Sequence, residues 1–417
     1  MARRNGGFIG TDGLDAPDPP TGVTATAGDA QVSVAFTAPT DAGTSAITGF
    51  VAQVSTNDTA YSAGSNTGTS SPIVVSSLTN DTAATAKVWA INAYGTSAAS
   101  DASSSFTPVA SVAQFFGGRN NSNTVLNSLE RVLMASTGNG TDTLDLTAAQ
   151  AQCRGNSSST RGIQIHYGFS ATNVVDFTTF ASTGDAQDFG DLSQARSYGG
   201  GNAGNGVRAI AQGGAASGSS GVDTIDFRNI ASAGDFSDFG NCTAASIQSG
   251  GASSPTRGIF PLNRTAAGGG SRQEEVDFIT IASAGNAADF GNLSRVSDTS
   301  NGASNSTRAL FNAFNGTTQT IDFFTIATQG NATDFGDFAN GNQPASQTVF
   351  KDPFAAASNS IKALFAGGIT GSGAGEVKTN RMEFFTIASA GNGTDFGDLA
   401  IERERHGSNS NTHGGIA

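Results

Sequence analysis

The chain is 417 residues long, enough for roughly two to four ordinary domains or for one small domain and a repeat array. It holds 55 Gly and 28 Phe with only 13% charged residues, a mixture that favours short strands and tight turns, and its regularly spaced Phe, Ile and Val are what a disordered chain lacks. A formal net charge of -13 argues against nucleic acid as a partner, since phosphate recognition needs clustered Lys and Arg.

Residues 1–16, "MARRNGGFIGTDGLDA", carry two arginines but no apolar run of the length a secretory signal needs, and no stretch of the chain approaches a membrane span. The expectation is a protein that is not inserted in a membrane and that leaves the cytoplasm, if at all, by lysis or a dedicated route. From 17 to 109 short strands alternate with turn signals: "TGVTATAG", "AQVSVAFTAP", "AITGFVAQVST", "SPIVVSSLT" and "TAKVWAINAYGTSAAS". Val32, Val34 and Phe36, then Val88, Ala90 and Asn92, repeat every second residue, as strands with one face in a sandwich core do. The opening "APDPPTGVTA", "VSVAFTAPTDAG", "ITGF" and the closing "VWAINAYGTSAAS" resemble a fibronectin type III domain. Phe36 stands where that family usually has an early tryptophan, and the resemblance implies a spacer or binding module.

The remainder, 110–417, is a repeat. "VDFTTFASTGDAQDFGDLS" (175–193) returns as "IDFRNIASAGDFSDFGNCT" (225–243), "VDFITIASAGNAADFGNLS" (276–294), "IDFFTIATQGNATDFGDFA" (321–339) and "MEFFTIASAGNGTDFGDLA" (382–400). A decayed copy, "LERVLMASTGNGTDTLDLT" (129–147), precedes them, with Thr143 and Leu144 replacing Phe-Gly. Upstream of each copy sits a second element such as "STRGIQIHYG" or "STRALFNAF", with "SVAQFFGG" serving the first. The aspartates at 142, 188, 238, 289, 334 and 395 are spaced by 46, 50, 51, 45 and 61 residues. Four short strands with their turns fill roughly 45 to 50 residues, the size of a propeller blade. In "VDFITIAS", Val276 and Phe278 are apolar on one side and Ile279 and Ile281 on the other, as a sheet covered on both faces requires. The fold expected is all-β: a fibronectin type III-like β-sandwich followed by a β-propeller of about six blades, or seven if residues 404–417 and part of 104–128 complete another.

Within a unit, "GNAADFG" reads as a turn, with Asp289 bonding back to nearby backbone N–H groups, Phe290 inserted between blades and Gly291 allowing a close backbone approach. Phe189, Phe239, Phe290, Phe335 and Phe396 are therefore the blade-packing residues expected. A magnesium-binding Asp-Phe-Gly of the kinase type lacks its partners here: there is no His-Arg-Asp loop and no Gly-rich nucleotide loop. The C-terminal "SNSNTHGGIA" matches "SNSTRALF" (304–311), a spare copy of the first-element strand that would seal the two chain ends together.

Catalytic chemistry finds little support. His166, His406 and His413 are scattered, none at metal-ligand spacing with Cys153 or Cys242, and both cysteines read as free because they sit at different places in their repeats. No GxSxG elbow is present, and carboxylate pairs such as Asp188 with Asp191 recur in most units, whereas a catalytic pair needs one shared cleft. Asp-rich turns leave calcium open, although no DxDxDG loop occurs, and no cofactor is assigned. The units differ most between their two elements, where "PLNRTAAGGGSRQEEV" (261–276) and "GGITGSGAGEVKTNRM" (367–382) carry Arg264, Arg272, Lys378 and Arg381. These residues are candidates for binding on one loop face. Tyr167 and His166 are weaker candidates, as strand aromatics usually belong to a core.

Units of the form "STRG(I/L)F…GG…IDFxTIAS.GNA.DFGDL" resemble the kelch-like repeat proteins of tailed bacteriophages over about 290 residues. The opening "MARRNGGFIG" also looks like the Gly-rich leaders of phage structural proteins. The resemblance implies a non-enzymatic virion component, assembled in the host cytoplasm and displayed as a fibre, a tail or neck appendage, or a capsid decoration. It implies contacts with other virion proteins through an extended N-terminal arm, with Arg3, Arg4, Phe8 and Ile9 as anchors. A homo-oligomer in the particle and attachment to host-surface glycans or a receptor follow from the same likeness. The alternatives are an extracellular adhesin or lectin-like binder and, further off, a polysaccharide-degrading enzyme.

Overall fold

The computed structural model describes residues 14–267, 270–314, 320–339, 355–370 and 377–416. Among them are strands and no helix, gathered in two compact units, Met1–Ser111 and Val112–Ala417.

The first unit is built from β1 (Thr21–Gly28), β2 (Gln31–Thr37), β3 (Ile47–Ser55), β4 (Gly64–Gly68), β5 (Ile73–Ser76), β6 (Thr85–Asn92) and β7 (Gly95–Thr96). They form two antiparallel sheets, β1-β2-β5 and β4-β3-β6-β7. Side chains one residue apart point to opposite faces, so Val32, Val34 and Phe36 of one sheet meet Phe50, Ala52, Val54, Val88 and Ala90 of the other in a single core. Phe36 and Phe50 touch with ring centres 4.8 Å apart. Trp89 is out of phase with Val88 and Ala90, only half-buried, and packs edge-on to Tyr61. Strand β4, "GSNTG", has no apolar residue and left no trace in the sequence reading.

In the second unit the described residues form six antiparallel sheets with a common set of four strands in regular order, one of them with a fifth strand, and a separate two-stranded hairpin. Sheet 1 comprises β8 (Val112–Phe116), β9 (Ser128–Leu133) and β10 (Thr141–Asp145). Sheet 2 comprises β11 (Arg154–Ser157), β12 (Arg161–Ile165), β13 (Thr172–Thr179) and β14 (Gln187–Arg196). Sheet 3 has β15 (Gly201–Gly204), β16 (Arg208–Gln212), β18 (Ser220–Asn229) and β19 (Ser237–Ser246), with a short β17 (Ala215–Ser217) added to β18. Sheet 4 has β20 (Ala252–Ser253), β21 (Arg257–Pro261), β22 (Gln273–Thr280) and β23 (Ala288–Ser297). Sheet 5 has β24 (Gly302–Ser304), β25 (Arg308–Asn312), β26 (Thr320–Thr325) and β27 (Thr333–Asp337). Sheet 6 has β28 (Ala355–Ser358), β29 (Lys362–Ala366), β32 (Arg381–Thr386) and β33 (Thr394–Asp398), and a separate hairpin pairs β30 (Ile369–Thr370) with β31 (Val377–Lys378). The fourth strand of sheet 1 comes from the other end of the chain: β34 (Gly407–Ser410) pairs antiparallel with β8, Gly407 opposite Phe116 and Ser410 opposite Ala113.

Each sheet is buried on both faces, because each apolar cluster is shared by two successive sheets. Val276 and Phe278 of sheet 4 pack with Phe311 and Phe324 of sheet 5, while Ile279 and Ile281 pack with Phe239 of sheet 3. The succession returns on itself: Phe396 and Met382 of sheet 6 pack with Phe115 and Val132 of sheet 1. The first strands of the sheets adjoin one another in the same cyclic order. Apart from Arg154 at the start of β11 they are made of Gly, Ala, Ser and Asn, and they approach closely; a Cβ on Gly251 would lie 1.9 Å from the Asn202 carbonyl oxygen. Serine hydroxyls link these strands, Ser304 donating to the Ser253 carbonyl at 2.8 Å and Ser157 to that of Ser410 at 2.6 Å.

Two sequence expectations need correction. The spare C-terminal strand occupies the innermost position of a sheet, not the position of the "STR" strand, and Ser410 is the residue equivalent to Ser304, since it donates to the Ser358 carbonyl as Ser304 donates to that of Ser253. Asp-Phe-Gly is also not a turn: it lies inside the fourth strand of its sheet, as residues 289–291 do in β23.

If β34 seals the edge of β8, deleting residues 407–417 exposes unpaired N–H and C=O groups there. Hydrogen–deuterium exchange should then show the amides of 112–116 exchanging at least about tenfold faster than in the full chain; unaltered protection would contradict the pairing.

Candidate functional site

The repeated motif is a β-bulge. In sheet 4, Asp289 stands opposite Asp277 and Gly291 opposite Val276, which leaves Phe290 as the extra residue. The same shift recurs around Phe189, Phe239, Phe335 and Phe396, and in sheet 1 around Thr143. All five phenylalanines are buried, and each belongs to the cluster its sheet shares with the next. The Phe290 ring lies 5.6 Å from that of Phe324 in sheet 5. Where Phe-Gly is lost in sheet 1, Leu144 fills the space instead.

Bulging also turns backbone groups toward the neighbouring sheet. Gly330 N–H donates to the Phe290 carbonyl, Ala332 N–H to that of Asn292, and Asn331 Oδ1 accepts from Asn292 N–H, all between 2.8 and 3.1 Å. Gly291 has φ +145°, and a Cβ there would sit 2.3 Å from the Gly330 oxygen, so only glycine serves. The junction from sheet 6 to sheet 1 repeats this set, with Gly138 N–H to Phe396, Gly140 N–H to Asp398 and Asn139 Oδ1 from Asp398 N–H. From sheet 1 to sheet 2 the second and third bonds remain, through Ala186 and Asp185. Asp289 itself accepts from Gly291 N–H at 3.2 Å.

A second contact at every junction uses a buried carboxylate. Asp176, Asp226, Asp277 and Asp322 accept from the backbone N–H of Thr147, Ser193, Thr243 and Ser294 of the preceding sheet, and the first three also accept from the hydroxyl. In two units the acid is Glu, and its partner is then alanine: Glu383 accepts from Ala339 N–H at 2.7 Å and Glu130 from Ala400 N–H at 2.6 Å. Room for the longer acid comes from a glycine in its own turn, since a Cβ on Gly393 or Gly140 would meet the Glu383 or Glu130 carboxylate at 2.5 or 2.6 Å. Burial raises the pKa values of Glu130, Asp277, Asp322 and Glu383, opposed at Glu130 by the Arg403 guanidinium and at the others first by these hydrogen bonds.

The third contact is cationic. Arg257 stacks on Phe278 of its own sheet, 5.0 Å from the ring centre, and donates to the Ile326 and Ala327 carbonyls of the next. Arg161, Arg208 and Arg308 act alike, and Lys362 reaches Met134 and Ala135 of sheet 1. In sheet 1 Val112 replaces this cation and Arg131 replaces the phenylalanine, and Arg131 donates to Thr179 and Ser182 of sheet 2.

The catalytic candidates are likewise dispersed. His166 lies buried 3.1 Å from Asp176, and His406 is buried elsewhere with its pKa held well below the usual value by desolvation and then by Arg403 and Arg154. His413 accepts Gly415 N–H near the innermost strands, and burial lowers its pKa to about 4. Tyr167 belongs to the core of sheets 2 and 3, its pKa raised to about 12 by burial. Cys153 and Cys242 are free and buried. Among the described residues no group of three or more His, Cys, Asp or Glu side chains is placed to hold a metal ion.

A cavity of about 580 Å³ is lined by loops and by the connections between sheets. Arg119, Asn121 and Asn123 come from the β8–β9 connection, Arg264 from β21–β22, Phe314 from the end of β25, and Ile369 and Lys378 from the β30–β31 hairpin. Connections between sheets add Tyr198, Gln248, Asp298, Thr299, Glu404 and Arg405. Glu404, fully buried, accepts from Arg119 Nε at 2.8 Å and lies 3.5 Å from Lys378 Nζ and 3.4 Å from Arg405 Nε. Asp298 accepts from Arg272 Nε at 2.7 Å and lies 3.4 Å from Arg264. Tyr198, Gln248 and Arg405 hold left-handed backbone, with φ of 57°, 54° and 56°. Gln248 N–H donates to the Tyr198 carbonyl and Ser300 N–H to that of Gln248, while the Arg405 carbonyl accepts from Gln152 N–H.

Of the loop residues singled out in the sequence, Arg264 and Lys378 line this cavity, Arg272 reaches it through Asp298, and Arg381 is bound to Glu383 at 2.7 Å. Arg3, Arg4, Phe8 and Ile9 lie outside the described residues. Sequence reasoning missed Arg119, Tyr198, Glu404 and Arg405. The signal for Arg119 was its position directly after "GG" in the first unit, the place that introduces Ile369 in the sixth.

Two substitutions separate the clamp from mere glycine content. Gly291→Ala should cost about 2–4 kcal/mol in urea unfolding, from the backbone clash and the forbidden φ, whereas Gly138→Ala, with open space around it, should cost less than about 0.5 kcal/mol. The raised carboxylates give a pH dependence of defined sign. They favour the fold fully below the unfolded pKa of about 4, and that contribution is lost as pH rises through their raised native values. Asp277→Asn with Asp322→Asn should therefore flatten the fall in stability between pH 4 and 7; an unchanged slope would contradict the assignment.

No family model matches the chain, and no curated protein does. Among solved structures, a crystal structure of domains A168-A170 from titin matches 23% of this chain and 33% of its own length, with 26% identity and a TM-score of 0.21. The chain thus spans about a third of that neighbour.

Proposed function

We propose that the chain is a non-enzymatic display protein of a bacteriophage particle, in which a fibronectin type III-like sandwich carries a six-bladed propeller that presents one loop face for binding. The observation that carries this reading is the division of labour in the second unit. The buried Asp or Glu of each unit and the repeated Arg and Phe are consumed in contacts between sheets, the Asp of each Asp-Phe-Gly stays exposed, and residues from the variable connections gather around one cavity. A frame whose last and first sheets are joined by the contacts that link the second to sixth sheets supports the propeller assignment. Functional residues on loops held by such a frame fit a receptor or adhesion role. The virion assignment draws on the likeness of the repeats to phage kelch-like proteins and on the Gly-rich leader. In this reading residues 1–16 dock on other virion proteins and copies of the chain assemble together in the particle.

Immunogold labelling of purified particles should mark a fibre, tail, neck or capsid position, and deletion of residues 1–16 should abolish incorporation. Particles without label, with the protein recovered as a free or cell-attached adhesin, would favour the extracellular-binder alternative.

A further inference from the structure

We propose that the 580 Å³ cavity binds an acidic saccharide, a sugar bearing a carboxylate or a sulfate. This deepens the display reading and rests on it for the choice of a saccharide. The charge balance comes first. Arg119, Arg264, Lys378 and Arg405 line the cavity against two carboxylates, Asp298 and Glu404, in a chain whose net charge is -13. An excess of cations concentrated in one concavity of an acidic protein focuses a field that attracts anions.

The cations are also pre-positioned. Glu404 is wholly buried and sits within 3.5 Å of Arg119, Lys378 and Arg405, so Arg119 and Lys378 lose less side-chain entropy when they meet a ligand. The Asn121 and Asn123 side chains tie the same rim together, accepting from Lys378 N–H at 2.7 Å and from its Nζ at 3.1 Å. Three lining residues, Tyr198, Gln248 and Arg405, keep left-handed backbone that costs about 1–2 kcal/mol each for a residue with a Cβ. Gln152 has the same backbone, φ 61°, at the matching turn before sheet 2, so the conformation belongs to the frame that positions these side chains.

The rest of the lining selects among anions. Amides of Gln248 and the asparagines and the Thr299 hydroxyl suit a ligand rich in hydroxyls, while Tyr198 and Phe314 offer ring surface. The volume falls in the range of small-molecule sites, roughly 300–1,000 Å³.

Calorimetry on the full chain tests this with trigalacturonate, a sulfated galactotriose, neutral galactotriose, inorganic phosphate and hexathymidylate. One or both acidic sugars should bind, at least about tenfold more tightly than the neutral one, and more weakly at high salt. Lys378→Gln and Arg264→Gln should each lower affinity about tenfold, with melting temperature checked in parallel, while Arg228→Gln, remote from the cavity, should leave it unchanged. If either cavity variant unfolds, displacement of the bound sugar from the intact chain by salt still tests the charge requirement. Equal binding of the neutral sugar, binding of phosphate or hexathymidylate alone, or no binding would overturn the proposal. Acidic-sugar binding with unlabelled particles would leave the site standing and remove the virion reading; labelled particles without sugar binding would do the reverse.

Discussion

A backbone hydrogen bond between neighbouring sheets, Gly330 N–H to the Phe290 carbonyl and its counterparts, is the contact on which the second unit depends. It forms only if the carbonyl is turned out of its own ladder, which the bulge achieves by adding one residue to the fourth strand. That extra residue is Phe290, whose ring is thereby delivered to the apolar cluster shared with the next sheet. The following residue must be glycine, because the partner turn approaches too closely for a Cβ. Bulge, aromatic ring, glycine and turn are one device, and Asp-Phe-Gly is its sequence signature.

Around that device the polar residues are assigned to the frame. Buried carboxylates satisfy N–H groups of the preceding sheet, and cations bridge a ring in their own sheet to carbonyls of the next. An orphaned N–H in such an interior costs about 1–3 kcal/mol, which explains why the acid persists in every unit. Where it becomes Glu, the chain adjusts in two places at once, with Gly393 and Ala339 around Glu383, and Gly140 and Ala400 around Glu130. The frame leaves the loop face free to vary, and the cavity with its excess of cations lies there.

Much of this was legible in the sequence. Recurrent Phe, apolar residues of both parities in "VDFITIAS" and a spare strand at the C-terminus pointed to sheets covered on both faces and to joined chain ends. The bulge was read as a turn because Gly, Asn and Asp cluster before it, and side-chain types carry no record of which carbonyl faces outward. Strand β4 left no signal because it has no apolar residue; it is held by backbone pairing with β3 and by Asn66 Nδ2 donating to the Val74 carbonyl at 2.6 Å. The coupling of Glu383 to Ala339 and Gly393, and of Glu130 to Ala400 and Gly140, was present in the letters. The Glu130 set links the last copy to the first and the Glu383 set the fifth to the sixth, and both become visible only when residues on adjacent sheets are compared. Arg119, Tyr198 and Arg405 reach one cavity from three separate connections, a convergence that no local pattern encodes.

The central claim is that the sixth sheet meets the first through the same contacts that join the second to sixth sheets in succession. A crystal structure of the full chain tests it at one place: Gly138 N–H should lie within hydrogen-bond distance of the Phe396 carbonyl, with the Glu130 carboxylate on Ala400 N–H. Finding Phe396 exposed to solvent, with the first and last copies far apart along an open stack of sheets, would contradict the account.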